Sequence, residues 1–202
     1  MQIKIKDNIK QFTKGLSSFE KKQIPFAVAT GINTTLFGLR KEMGKQTVKK
    51  LDRPTPATQK GFTIKKANKR NLTGELAIKD FVADYLKYQI DGGTRQTGRK
   101  IPVPFTQNAR LNKFGNIQRN KKGGVIKRPA KQFIAKIGGV SGVFEKFGRG
   151  GKQIKLIIAF EDSVIYDKKP FPFYKIGKGY INSVYSRNLA KGFKRAMRTA
   201  RK

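Results

Sequence analysis

From Gln2 to Lys6 the chain alternates, with Ile3 and Ile5 set against Gln2, Lys4 and Lys6, the period of a short strand. Asp7 is a plausible helix cap, and Ile9, Phe12, Leu16 and Phe19 follow at helical spacing. Polar Glu20-Lys21-Lys22 predicts a stop. A longer helix is expected to open there, with Pro25 in its first turn, where a missing N–H costs nothing. Ile24, Val28, Ile32, Leu36, Leu39 and Met43 make one continuous apolar stripe, fading between Thr47 and Leu51. Gly31 and Gly38 each weaken a helix by about 1 kcal/mol relative to alanine, so they are expected where a neighbour comes close.

Pro54 and Pro56 predict an extended segment. Phe62 and Ile64 then alternate with Thr63 and Lys65, a polar turn follows over residues 66–71, and Leu72, Gly74, Leu76 and Ile78 share the face of a second strand. Asp80 caps a short predicted helix carrying Phe81, Tyr85 and Leu86, ended by Gly92-Gly93.

Periodicity then lapses. Residues 94–131 hold Arg95, Arg99, Lys100, Arg110, Lys113, Arg119, Lys121, Lys122, Lys127, Arg128 and Lys131 and no acid. Pro102, Pro104, Pro129 and four glycines argue against long regular elements, which predicts a long basic loop. Only Ile101, Val103, Phe105, Leu111 and Phe114 could pin it. Three strands are expected next, Gln132–Ile137, Val143–Phe147 and Ile154–Phe160, joined by glycine turns into an antiparallel meander whose last strand is the most buried. Beyond Pro170 and Pro172 a final helix is predicted, with Phe173, Ile176, Tyr180, Val184, Leu189 and Phe193 along one side and a basic end that includes Arg195 and Arg198.

The fold class expected is therefore α+β: long N-terminal and C-terminal helices packed on an antiparallel sheet, with a long basic loop. Residues 1–22 read as an arm, and 23–202 as the domain that contains the loop 94–131.

Charge changes the picture most. The 202 residues include 46 Lys plus Arg against 12 Asp plus Glu, a formal net charge of +34. Such a chain repels itself and calls for a polyanion or an acidic surface, with nucleic acid the first candidate. Histidine and cysteine are absent, which excludes zinc sites of the usual kind, thiolate nucleophiles and the commonest general base. No run approaches the ~20 apolar residues of a membrane span, and the start lacks the apolar core of a secretion signal, so a soluble protein is expected.

The candidate chemistry is thin. Gly92-Gly93, Gly123-Gly124 and Gly148-Arg149-Gly150-Gly151 lack the spacing and the terminal Lys-Ser/Thr of a phosphate loop, so they read as turns. Glu161 and Asp162 are strand neighbours pointing to opposite faces and cannot flank one bond. Asp80 and Asp84 share a helical face, but a cap and a solvated acid explain them. An enzyme is not expected, and no catalytic residue, metal site or cofactor is assigned. Phe105, Phe114, Tyr174 and Tyr185 could stack on bases, although packing accounts for them better without a ribonucleoprotein-type motif around them.

The order and spacing of several short motifs resemble a group of phage and prophage structural proteins. They are Pro25 and Asn33, Asp52-Arg53-Pro54-Thr55-Pro56, Lys65-Lys66-Ala67-Asn68-Lys69, Leu76-Ala-Ile-Lys-Asp80, Tyr85-Leu86 leading to Gly92-Gly93-Thr94-Arg95, Phe114-Gly115-Asn116-Ile117 and Gly142-Val143-Phe144-Glu145-Lys146. More distantly the pattern is similar to lambda-type minor tail protein Z and related tail-completion (neck) proteins. That resemblance implies a virion protein, made in the host cytoplasm, forming a homo-oligomeric ring around the DNA channel between the head connector and the tail. Its partners would be portal or adaptor and tail proteins, with non-specific double-stranded DNA contact and no membrane.

On that reading Arg53, Pro54 and Arg95 are candidate interface residues. Arg99, Lys100, Arg110, Lys113, Arg119, Lys121, Lys122, Arg128, Arg195 and Arg198 are candidate contacts to DNA or an acidic partner. The alternative is a basic nucleic-acid-binding protein, ribosome-associated or nucleoid-like, which composition alone would favour.

Overall fold

The computed structural model describes residues 1–6, 18–117 and 131–200. They form a mixed α+β fold in two compact units, one of residues up to Ile90 together with those from Lys169, the other Asp91–Lys168.

The first unit is built on a three-stranded antiparallel sheet, β1 (Gln2–Lys6), β2 (Phe62–Lys65) and β3 (Thr73–Ile78), in the order β1-β3-β2. Register puts Ile3 opposite Leu76, Ile5 opposite Gly74, Phe62 opposite Ile78 and Ile64 opposite Leu76. Partners across an antiparallel pair share a face, so all of these point to one side. The strand expected in the arm is thus part of the main sheet. The helix expected from Asp7 through Ile9, Phe12 and Leu16 lies outside the described residues.

Helix α1 runs unbroken from Ser18 to Lys50, so the stop expected at residues 20–22 is absent and Pro25 lies inside the helix. A proline there removes one backbone hydrogen bond, at about 3 kcal/mol or more. Val28, Ile32, Leu36, Leu39 and Met43 are all fully buried, at roughly 1.5–3 kcal/mol each. Burial outweighs the proline. Gly74 admits this stripe to the sheet, because a Cβ there would lie 2.5 Å from Leu36 Cδ1 and 2.7 Å from Ile32 Cγ2.

After α1, Arg53 takes a left-handed conformation (φ 44°), turning the chain into Pro54. Pro54 lies between that turn and a short helix, but Pro56 is not extended: it opens the four-residue helix α2 (Pro56–Gln59), capped by the Thr55 side chain accepting from Thr58 N. Helix α3 (Asp80–Asp91) buries Val82, Leu86 and Ile90, while Phe81 is 58% exposed. The Thr58 and Tyr85 hydroxyls, 2.8 Å apart, tie α2 to α3.

Helix α4 (Phe173–Ala200) closes the unit. Its contacts with α1 pair Ala27 with Gly192, Gly31 with Leu189, Asn188 with Thr35, Gly38 with Tyr180 and Met43 with Gly177, so the two helices run antiparallel. The face that packs is Phe173, Gly177, Val184, Asn188, Gly192 and Ala196; Phe193, expected on it, is 37% exposed. Phe62, Phe171 and Phe173 stack at the entry to α4, with ring centroids 6.3–6.4 Å apart.

The second unit is a four-stranded antiparallel sheet in the order β4-β7-β6-β5, with β4 at Gly93–Pro104, β5 at Gln132–Ile137, β6 at Val140–Phe147 and β7 at Gln153–Tyr166. The meander is as expected. The loop is not: its first part is β4, an edge strand paired with β7 over Gly93–Gln96 and again over Ile101–Pro104. An edge strand tolerates prolines because one side of it needs no hydrogen-bond partner. Residues 105–117 are irregular but fastened to β7, since Phe105 N donates to Ile157 O and Asn108 Nδ2 to Leu156 O. Nor is β7 the most buried strand: only Ile157 is buried on it, whereas every second residue of β3 is.

Candidate polyanion and assembly surfaces

Among the described residues, the predicted contact residues are divided between the two units. Arg53 forms a forked pair with its neighbour Asp52, Nε and Nη2 lying 3.1 and 3.0 Å from Oδ2. Both side chains are more than half exposed, so solvent screens the pair and it adds little stability. The Pro54 carbonyl accepts from Gln59 Nε2 at 3.1 Å. Arg195 and Arg198 are exposed on the last turns of α4.

In the second unit Arg95, Arg99 and Lys100 share β4. Residues 97–100 stand opposite Asp162 alone, a bulge that Gly98 permits by its φ of 67°. At the bulge Lys100 Nζ reaches Asp162 of β7 at 2.7 Å, while Arg99 is exposed. Arg110 and Lys113 are exposed in the 105–117 segment, and the Lys113 amine lies 5.1 Å from the ring of Phe114. Arg119, Lys121, Lys122 and Arg128, with Gly123-Gly124, lie outside the described residues.

Of the candidate stacking aromatics, Tyr185 packs on the core of the first unit, and Tyr174 meets Phe173 edge-on at 5.3 Å. Phe105 is 45% exposed. Several further apolar residues of the sheet are also exposed, among them Ile134, Phe147, Ile154 and Ile165.

One carboxylate in this unit has a perturbed environment. Glu145 on β6 accepts from Gln132 Nε2 at 2.7 Å and pairs with Lys155 Nζ at 3.0 Å. The Gln132 hydrogen bond, then the Lys155 contact, hold its carboxyl below the usual carboxylate range; the charge of Arg110 acts the same way, and partial burial opposes them. A pKa lowered by folding contributes stability above the unfolded value near pH 4.3, and the contribution is lost as pH falls through the folded value. Glu145→Gln is therefore expected to destabilise the sheet at neutral pH, with the gap from wild type closing below about pH 4. Urea midpoints across that range check it; a constant gap overturns it.

Sequence reading missed a second group of cations, in the first unit. The turn between β2 and β3 is fastened to α1 by Asn33, whose Nδ2 donates to Ala67 O at 2.9 Å while Ala67 N donates to its Oδ1 at 2.8 Å. Asn68 Oδ1 accepts from the backbone N–H of Arg70 and Asn71, closing the turn. Around this anchor the Lys66 amine and the Arg40 guanidinium each sit 5.4 Å from the ring of Phe37, and the Lys69 amine 5.3 Å from that of Phe26. The Phe37–Arg40 spacing and the cluster Lys65-Lys66-Ala67-Asn68-Lys69-Arg70 were the available signals; only the fold joins them.

Among the described residues no group of three or more acids could hold a metal ion, and no helix is long and apolar enough to cross a membrane. Comparison with protein-family models, curated proteins and solved structures returned no match.

Proposed function

We propose that the protein is a non-enzymatic structural subunit of a phage head–tail junction, assembling as a ring that joins head connector to tail around the DNA channel. The sequence resemblance suggests the location. The observation that best supports an assembly role is the sheet of the second unit. It carries half-exposed Ile134, Phe147, Ile154 and Ile165 and ends in an edge strand bearing Arg95, Arg99 and Lys100. Apolar residues open on a sheet beside unpaired strand edges are surfaces that partner subunits cover.

Copies of a chain with formal charge +34 repel one another, so closure of a ring needs counter-charge from DNA or acidic neighbours, or screening by salt. Sedimentation velocity tests this. A single oligomer of fixed size, appearing as salt is raised and persisting there, is the expected result, as is co-purification with portal and tail proteins. A monomer at every salt concentration, or nuclease-sensitive association with ribosomes, overturns it and favours the nucleic-acid-binding alternative. Arg53→Ala and Arg95→Ala are expected to impair assembly while leaving the circular dichroism of the subunit unchanged; normal assembly by both counts against an interface there.

A further inference from the structure

We infer that the face formed by α1 and the β2–β3 turn is a binding site for the phosphate backbone of duplex DNA, with Arg40, Lys66 and Lys69 as the contacting cations. The inference does not rest on the ring: it concerns a face of the first unit and would hold for a monomer.

Four observations carry it. The cations are exposed, yet their positions are set by the fold, because Asn33 clamps buried Ala67 between Lys66 and Lys69 and the turn closes on Asn68. Lysine amines parked over phenylalanine rings lose less freedom when a phosphate arrives than amines sampling open solvent. Among the described side chains, the carboxylates of α1 and β3 are engaged elsewhere: Glu42 lies in the groove lined by Lys175 and Tyr180, and Glu75 pairs with Lys4. The last observation is spacing. Phe26 and Phe37 are eleven residues apart on one helix, about 16 Å along its axis. That equals the rise of roughly five base pairs. A row of this length suits a linear polyanion better than a single phosphate group.

The same geometry argues against base readout. Phe37 is 41% exposed, but its ring already carries two cations rather than an open face for a base. The contact is electrostatic and indifferent to sequence.

The test uses the full-length protein and a random-sequence DNA duplex, followed by fluorescence anisotropy between about 50 and 200 mM salt. The triple variant Arg40→Gln, Lys66→Gln, Lys69→Gln is compared with Lys136→Gln, Lys152→Gln, Lys168→Gln, which removes the same charge from exposed positions of the second unit. The slope of log K against log salt is expected to become shallower by about 0.9 per lost phosphate contact, so by up to about 2.7 in the first variant, and to stay near wild type in the second. Equal changes in both overturn the assignment, since binding would then follow net charge alone. Because exposed substitutions could act indirectly, amine acetylation of the unmodified protein provides a second readout. Duplex DNA is expected to protect Lys66 and Lys69; protection by polyglutamate but not by DNA would make the face a dock for acidic protein and overturn the proposal.

Discussion

Replacing Phe173 with alanine is expected to destabilise the first unit by about 3–5 kcal/mol, a large part of the 5–15 kcal/mol by which a typical domain is stable. Phe173 is fully buried, and it lies where the chain returns into the unit to begin α4. Its ring stacks nearly parallel on Phe62 of β2, at 6.3 Å and 8°, and tilts against Phe171 at 6.4 Å. Removing the ring forfeits its transfer energy, leaves a cavity, and strips two aromatic partners of contacts worth ~0.5–1.5 kcal/mol each. Compensation by collapse is limited, because Phe171 is itself fully buried and its backbone N–H is bonded to Gln89 O. Urea unfolding followed by helical circular dichroism measures the loss. Phe62→Leu and Phe173→Leu together should lose less than the sum of the singles, as contacting residues do. A loss below about 1 kcal/mol for Phe173→Ala would mean that this cluster is not what ties α4 to the sheet.

The first unit was the more legible in sequence, and the reason is physical. The α1 stripe and the alternation in β1, β2 and β3 each face one dry core, so period and burial agree there. In the second unit β4 was hidden, because an edge strand broken by a bulge has no alternation to show and its prolines imitate a loop. Pro25 misled in the opposite direction: a local rule placed it at a helix start, and the core stripe overrode the rule. On α4 Phe173 and Val184 of the expected stripe do pack, but Phe193 does not, and the rest of the packing face is Gly177, Asn188, Gly192 and Ala196, too small or too polar to register as a stripe.

The site was legible only as composition. An excess of Lys and Arg raises the expectation of a polyanion or acidic partner, but it does not say which of 46 cations are held in place. The candidates taken from the run 94–131 came from density along the chain. Lys66 and Lys69 lie outside that run and flank Ala67, which Asn33 anchors to a helix more than thirty residues away in sequence. That link joins distant segments, and no local pattern reports it.

The helix crossing provides the second large effect, and its sign is decided by two glycines on the same helix. Gly179→Ala is expected to stabilise the first unit by about 0.5–1 kcal/mol, the ordinary gain of alanine over glycine in a helix, since nothing lies within 4 Å of the added Cβ. Gly192→Ala has the same propensity gain and should still destabilise, by about 1–3 kcal/mol net. There the new Cβ would collide with the carbonyl oxygen of Ala27, lie 3.2 Å from its carbon, and lie 3.3 Å from Gly31 N. Those atoms are helix backbone and cannot swing aside as the end of a side chain can, so α1 and α4 would have to separate. Separation would also strain the buried bond from Asn188 Nδ2 to Thr35 Oγ1, 3.1 Å long. The two substitutions are chemically identical, so opposite shifts in urea midpoint isolate the crossing from helix propensity. Stabilisation by both would show that the helices are not in backbone contact at Gly192.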